Sequence, residues 1–119
     1  MTQEIKVFKG IYRTALKDCI TEGYVPQTFK QVGKLLREGK LEKKEWYDTI
    51  TLWWYEKYDQ RDATTQDIKN IISGKALLVR PVYVNFLNNR SAANGDNLLD
   101  NNYGRLVGVK HKDCKTKVN

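Results

Sequence analysis

Apolar positions recur at helical spacing through the first half of the chain and switch to alternation in the second. The densest stretch is Glu45–Tyr58, EWYDTITLWWYEKY, which holds all three Trp and three of the seven Tyr. Trp46, Ile50 and Trp53 fall on one helical stripe, and Tyr47, Trp54 and Tyr58 on the stripe beside it. Glu45, Asp48 and Glu56 occupy the far side. The spacing predicts a central α-helix with neighbours on two sides and with Trp46, Ile50 and Trp53 buried. It also offers Trp54, Tyr55 and Tyr58 as an exposed aromatic flank for a protein partner or for stacking on bases.

The remaining chain divides at glycines and cap residues. Residues 4–22 carry Ile5, Phe8, Tyr12, Leu16, Cys19 and Ile20 at helical spacing, closed by Gly23. Gly10 weakens the first half, so an extended 4–9 segment followed by a helix from Ile11 is the alternative. After Tyr24-Val25-Pro26, Thr28-x-x-Gln31 forms a capping box. The helix that follows is two-faced: Phe29, Val32, Leu35 and Leu36 on one side, Lys30, Lys34 and Arg37 on the other, with Gly39 at its end. A shorter helix is expected from Thr64 or Thr65 to Gly74, with Ile68, Ile71 and Ile72 as its apolar edge. From Ala76 the residues become β-branched and aromatic. Val82, Val84 and Phe86 alternate with Tyr83, Asn85 and Leu87, and Pro81 marks an edge, a bulge or a break. Residues 88–102, with six Asn, two Asp and an Asn-Gly, read as a long loop. Tyr103–Lys110 is a second strand.

The pattern therefore predicts one α+β domain over residues 1–110. Three to four N-terminal helices pack around the aromatic central helix, and a small C-terminal antiparallel sheet of two to three strands follows. Residues 111–119 are expected to form a basic, disordered tail.

The run TFKQVGKLLREGKL resembles half of a winged helix-turn-helix of the excisionase and MerR type, over 14 of the 119 residues. That resemblance implies a first helix, a recognition helix and a wing opening on a word like REGKL. Here REGKL follows the first helix directly, with no recognition helix between, and the fold expectation stays with the apolar pattern.

Charge alters the picture more than composition does. The net charge is +7, which favours polyanionic partners. It is unevenly spread. Residues 23–44 carry six basic and two acidic side chains, residues 45–67 two basic and six acidic, and residues 105–119 five basic and one acidic. Two basic clusters thus flank an acidic segment. Lys30, Lys34, Arg37, Lys40, Lys43 and Lys44 form the first cluster as phosphate ligands, and Arg105, Lys110 and Lys112 belong to the second. Charges at short intervals through the first 20 residues argue against a signal peptide, and no apolar run is long enough to cross a bilayer. A cytoplasmic protein without a membrane association is expected.

Catalytic chemistry is thin. His111 is the one His, and with Cys114 it is too little for a zinc site. No metal or cofactor is expected. No glycine-rich phosphate loop is present, and the carboxylate pairs Asp59/Asp62 and Asp96/Asp100 lie in expected loops. The expected function is a small non-enzymatic nucleic-acid-associated binding or regulatory protein, working on nucleic acid or on a nucleic-acid-processing complex. The alternative is an inhibitor or adaptor of the kind phages and mobile elements encode, docking on a host nucleic-acid-processing enzyme or defence nuclease through the aromatic helix and the 88–102 loop. Oligomeric state is left open.

Overall fold

The computed structural model describes residues 2–75, 78–85, 90–92 and 104–112. The described elements are β1 (Thr2–Gly10), α1 (Tyr12–Thr21), β2 (Val25–Pro26), α2 (Phe29–Arg37), β3 (Trp46–Trp54), β4 (Asp59–Asp62), α3 (Thr65–Ile72), β5 (Val79–Asn85), β6 (Arg90–Ala92) and β7 (Gly104–Lys112). All seven strands join one sheet, ordered β1-β7-β3-β5-β6, with β2 beside β7 and β4 beside β3. Most neighbours run antiparallel, but β3 and β7 meet in parallel at Asp48 and Leu106.

This architecture corrects the expected one. The described residues build a large mixed sheet with three short helices, not a helical group with a two- or three-stranded appendage. The aromatic stretch is the reason. It is strand β3, near the centre of the sheet, and not a helix. Trp46, Tyr47, Thr49, Ile50, Thr51 and Trp53 are aromatic or β-branched, types that fit a pleated surface and lose rotamer freedom on a helix. Their contacts alternate with period two. Ile50, Leu52 and Trp54 join one core, whereas Tyr47 joins the other and Thr51 Oγ1 accepts from the Phe29 N–H of α2. Of the expected buried trio only Ile50 is buried; Trp46 and Trp53 are half-buried. The helical recurrence of Trp46, Ile50 and Trp53 was a coincidence within a strand apolar on both faces.

A second correction lies at the N-terminus. Gly10, at φ 119°, ends β1 before α1 starts. The extended-then-helix alternative is the one observed. The glycine ends the helical stripe because only a residue without Cβ turns there at little cost.

The sheet separates two cores. On one face α1 and α3 bury Tyr12, Leu16, Cys19 and Ile71 against Phe8, Ile50, Leu52 and Leu106. On the other α2 buries Val32, Leu35 and Leu36 against Tyr47, Val84, Val107 and Val109. Each fully buried Leu or Ile stabilises by roughly 1.5–3 kcal/mol.

β3 and β5 lose register between Asp48 and Leu52, where residues 49–51 oppose Val82 alone. Pro81, opposite Leu52, lies beside this bulge, a place in a sheet where a residue without an N–H is tolerated. Thr49 Oγ1 donates to the Val82 carbonyl at 2.6 Å.

Most of the expected 88–102 loop lies outside the described residues; within it Arg90–Ala92 form β6 against β5. β7 continues through His111 and Lys112, paired with Gln3 and Thr2. The remainder of the expected tail, 113–119, lies outside the described residues.

Candidate nucleic-acid interface

α2 is the best-defined carrier of positive charge. Thr28 caps it: its Oγ1 accepts from the Gln31 N–H at 3.2 Å, and Gln31 Oε1 accepts from the Thr28 N–H at 2.8 Å. The Phe29 N–H donates to Thr51 Oγ1 at 2.9 Å and ties this end to β3. Gly39, at φ 74°, closes the other end. With Val32, Leu35 and Leu36 buried, the helical period directs Lys30, Lys34 and Arg37 to solvent, and all three are exposed. Lys40, Lys43 and Lys44 follow, also exposed. Glu38 sits within this cluster, 4.0 Å from Lys34 Nζ and 3.3 Å from Lys40 Nζ. Lys34 and Arg37 also meet the negative end of the helix dipole, so part of their charge serves the fold.

Of the second basic cluster, Lys110 turns away from the first. Lys110 lies on the α1 side of the sheet, its Nζ 4.9 Å from the centre of the Tyr24 ring. Arg105 is half-buried, 3.2 Å from Glu45 and stacked over Trp46 at 5.4 Å. Lys112 ends β7.

The expected aromatic flank is redistributed because β3 is a strand. Trp54 is half-buried against the α1/α3 core, with the Arg61 guanidinium 4.3 Å from its ring. Arg61 is held by Asp67 at 2.7 Å, and Asp67 also caps α3. Tyr55 and Tyr58 lie in the β3–β4 turn, where Arg80 stacks on Tyr55 at 5.1 Å. Tyr58 is 82% exposed and has a φ of 48°, unusual for a bulky residue.

One feature of this surface left no mark in the sequence. A groove of about 350 Å³ separates α2 from the β2 and β7 strands, and Gln27, Gln31, Lys34, Lys40 and His111 line it. These side chains come from stretches far apart in the chain, so no local spacing marks the groove.

The chemistry available elsewhere is structural. Cys19 is buried, and burial pushes its thiol up to about 12, which keeps it a neutral thiol rather than a nucleophilic thiolate. Asp59 accepts from the Gln60 N–H and Asp62 from the Thr51 hydroxyl. Asp96, Asp100 and Cys114 lie outside the described residues. Among the described residues no group of three His, Cys, Asp or Glu side chains converges to hold a metal ion, and no helix is long and apolar enough to cross a membrane.

No protein-family model matches the chain, and no curated protein and no solved structure matches it.

Proposed function

We propose that the protein is a small, non-enzymatic nucleic-acid-associated binding protein whose α2 face engages the phosphate backbone. The observation that carries this reading is the exposed row Lys30, Lys34 and Arg37 on a helix capped at its start and buried on its opposite side. At 1.5 Å per residue the row spans roughly 10 Å, and Lys40, Lys43 and Lys44 extend it. Phosphate contacts of this kind supply affinity and register but little sequence preference. A cytoplasmic location belongs to the same proposal.

Binding of labelled single- and double-stranded oligonucleotides, titrated with salt, tests it. Changing Lys30, Lys34 and Arg37 together to Glu is expected to weaken binding alike for all sequences. The slope of log K against log salt is expected to fall by about 0.7–0.9 per lost phosphate contact. A parent protein with no affinity for DNA or RNA at low salt would end this reading.

A second reading has its own observation. Tyr55 and Tyr58 gather at one hairpin turn, with Tyr58 almost fully in solvent. An inhibitor or adaptor of phage or mobile-element type would use that turn as an aromatic anchor on a protein. In that case Tyr58→Ala weakens the complex more than the α2 charge changes do.

A further inference from the structure

β1 is a long strand with one neighbour. Its nine residues pair with Gly104–Lys112 of β7 without a slip, and no described strand lies on its other side. The other described strands with a single described neighbour are short: two residues in β2, four in β4 and three in β6. In an antiparallel ladder alternate residues turn both N–H and C=O away from the existing partner. Such a rim is a template for another strand unless it is shortened, bulged or interrupted by Pro. β1 has none of these devices; Lys6 and Lys9 are its polar guards.

We propose that β1 pairs antiparallel with β1 of a second copy, about a two-fold axis through Ile5. Directly opposed residues of an antiparallel pair face the same side of the sheet, so a symmetric register must centre on a residue. Charge selects which one. Centring on Ile5 sets Glu4 opposite Lys6 of the second copy, and Lys6 opposite its Glu4. Centring on Glu4 or on Lys6 sets like charges face to face, and centring on Val7 sets Lys6 opposite Phe8. Opposite charges across strands stabilise a pair and like charges oppose it. Both side chains are already oriented on the α1 side. Lys6 Nζ lies 2.7 Å from Glu22 with two further donors to give, and Tyr24 donates to Glu4 at 2.6 Å. On the other side Ile5 and Val7 are half-buried at the flank of the α2 core. The second copy's Ile5 and Gln3 would cover them.

The two sheets become one, and because the axis is perpendicular to it both α2 helices lie on the same face. The pairing itself does not depend on the nucleic-acid reading.

Sedimentation of the full chain over a wide concentration range tests the association. A reversible monomer–dimer equilibrium is expected. Lys6→Glu is expected to weaken it about tenfold. Adding Glu4→Lys to Lys6→Glu restores opposite charges across the axis and is expected to recover it. Register is read by disulfide trapping in a Cys114→Ser background, where the remaining Cys19 is buried. Opposed Cα atoms are spaced within disulfide reach. Ile5→Cys is expected to give a covalent dimer. Gln3→Cys and Val7→Cys should cross-link only when mixed. A chain that stays monomeric at every concentration overturns the proposal, including the case in which β1 serves to bind some other extended segment. So does a dimer that ignores the charge swap or cross-links equally at all three positions. Thermal melts of each variant as a monomer separate loss of pairing from loss of fold.

Discussion

The two faces of the sheet are covered in different ways. The α2 face is closed by aliphatic side chains and the half-buried Phe29 around Tyr47, with the buried Thr51 hydroxyl tied to the start of α2 and the cations of α2 turned outward. The α1/α3 face buries an ionisable carboxyl as well. Tyr12, 1% exposed, donates to the Thr49 carbonyl at 2.7 Å. Asp48, 6% exposed, accepts from the Arg105 N–H at 3.1 Å, at the junction where β3 and β7 run parallel. Backbone contact is also tighter there. A Cβ on Gly108 would lie 2.8 Å from Cys19 Sγ and 3.0 Å from Tyr24 Cβ. Aliphatic contacts tolerate conservative repacking, whereas a buried carboxyl demands particular partners.

The comparison is broken most forcefully by cavities. Leu36→Ala on the α2 face and Leu16→Ala on the α1 face are each expected to cost about 2–5 kcal/mol in denaturant unfolding. Equal losses show that both helices cover true cores. A near-neutral Leu36→Ala would reduce α2 to a loosely attached helix.

The next effect distinguishes the faces by pH. Burial raises the Asp48 carboxyl from 3.8 to about 7, against smaller lowering effects from the Arg105 N–H and charge. The folded protein therefore holds this proton more tightly than the unfolded chain does. The stability it contributes is complete below pH 3.8 and is lost as pH rises through about 7, at about 1.4 kcal/mol per unit of displacement. Chemical unfolding between pH 4 and 8 should show this decline, and Asp48→Asn should flatten it. An unchanged slope in the variant would assign the decline to another group.

Gly108→Ala tests the close approach of α1 to β7. Overpacking is expected to cost about 1–3 kcal/mol, and Cys19→Ala in the same chain should recover part of it by removing the opposing sulfur. If the two changes simply add, the contact is not where the strain lies. The smallest effect is expected on the solvent face of α2. Reversing Lys30, Lys34 and Arg37 should change stability by only about 0.5 kcal/mol per site, since these side chains lie in solvent and Lys34 makes one long contact with Glu38. A larger loss would tie the cations to the fold and weaken their claim on phosphate.

Much of this was legible in the residues, unevenly. α2 and α3 stand where Thr28, Thr64, Gly39 and Gly74 put them, because a cap and a period of 3.6 act within one helix. The alternation after Ala76 and the run before Lys110 locate β5 and β7. β3 was not legible as a helix or as a strand from spacing alone. It is apolar on both faces, and such a segment satisfies either period over nine residues. Its wealth of Thr, Ile, Trp and Tyr was the available signal. The α2 cations were likewise readable, while the separation of Lys110 from them depends on which side of the sheet β7 presents each residue.

The sequence by itself determined the capped helices and the outward row of Lys30, Lys34 and Arg37, properties of contacts within a few residues, and left the break at Gly10 as one of two readings. Only the tertiary structure decided that the aromatic segment is a sheet strand, that Asp48 is buried beside Arg105, and that Tyr55 and Tyr58 share a turn. Those outcomes rest on pairing between residues tens of positions apart. Closure of such contacts is set by the topology of the whole chain, and no local propensity encodes it.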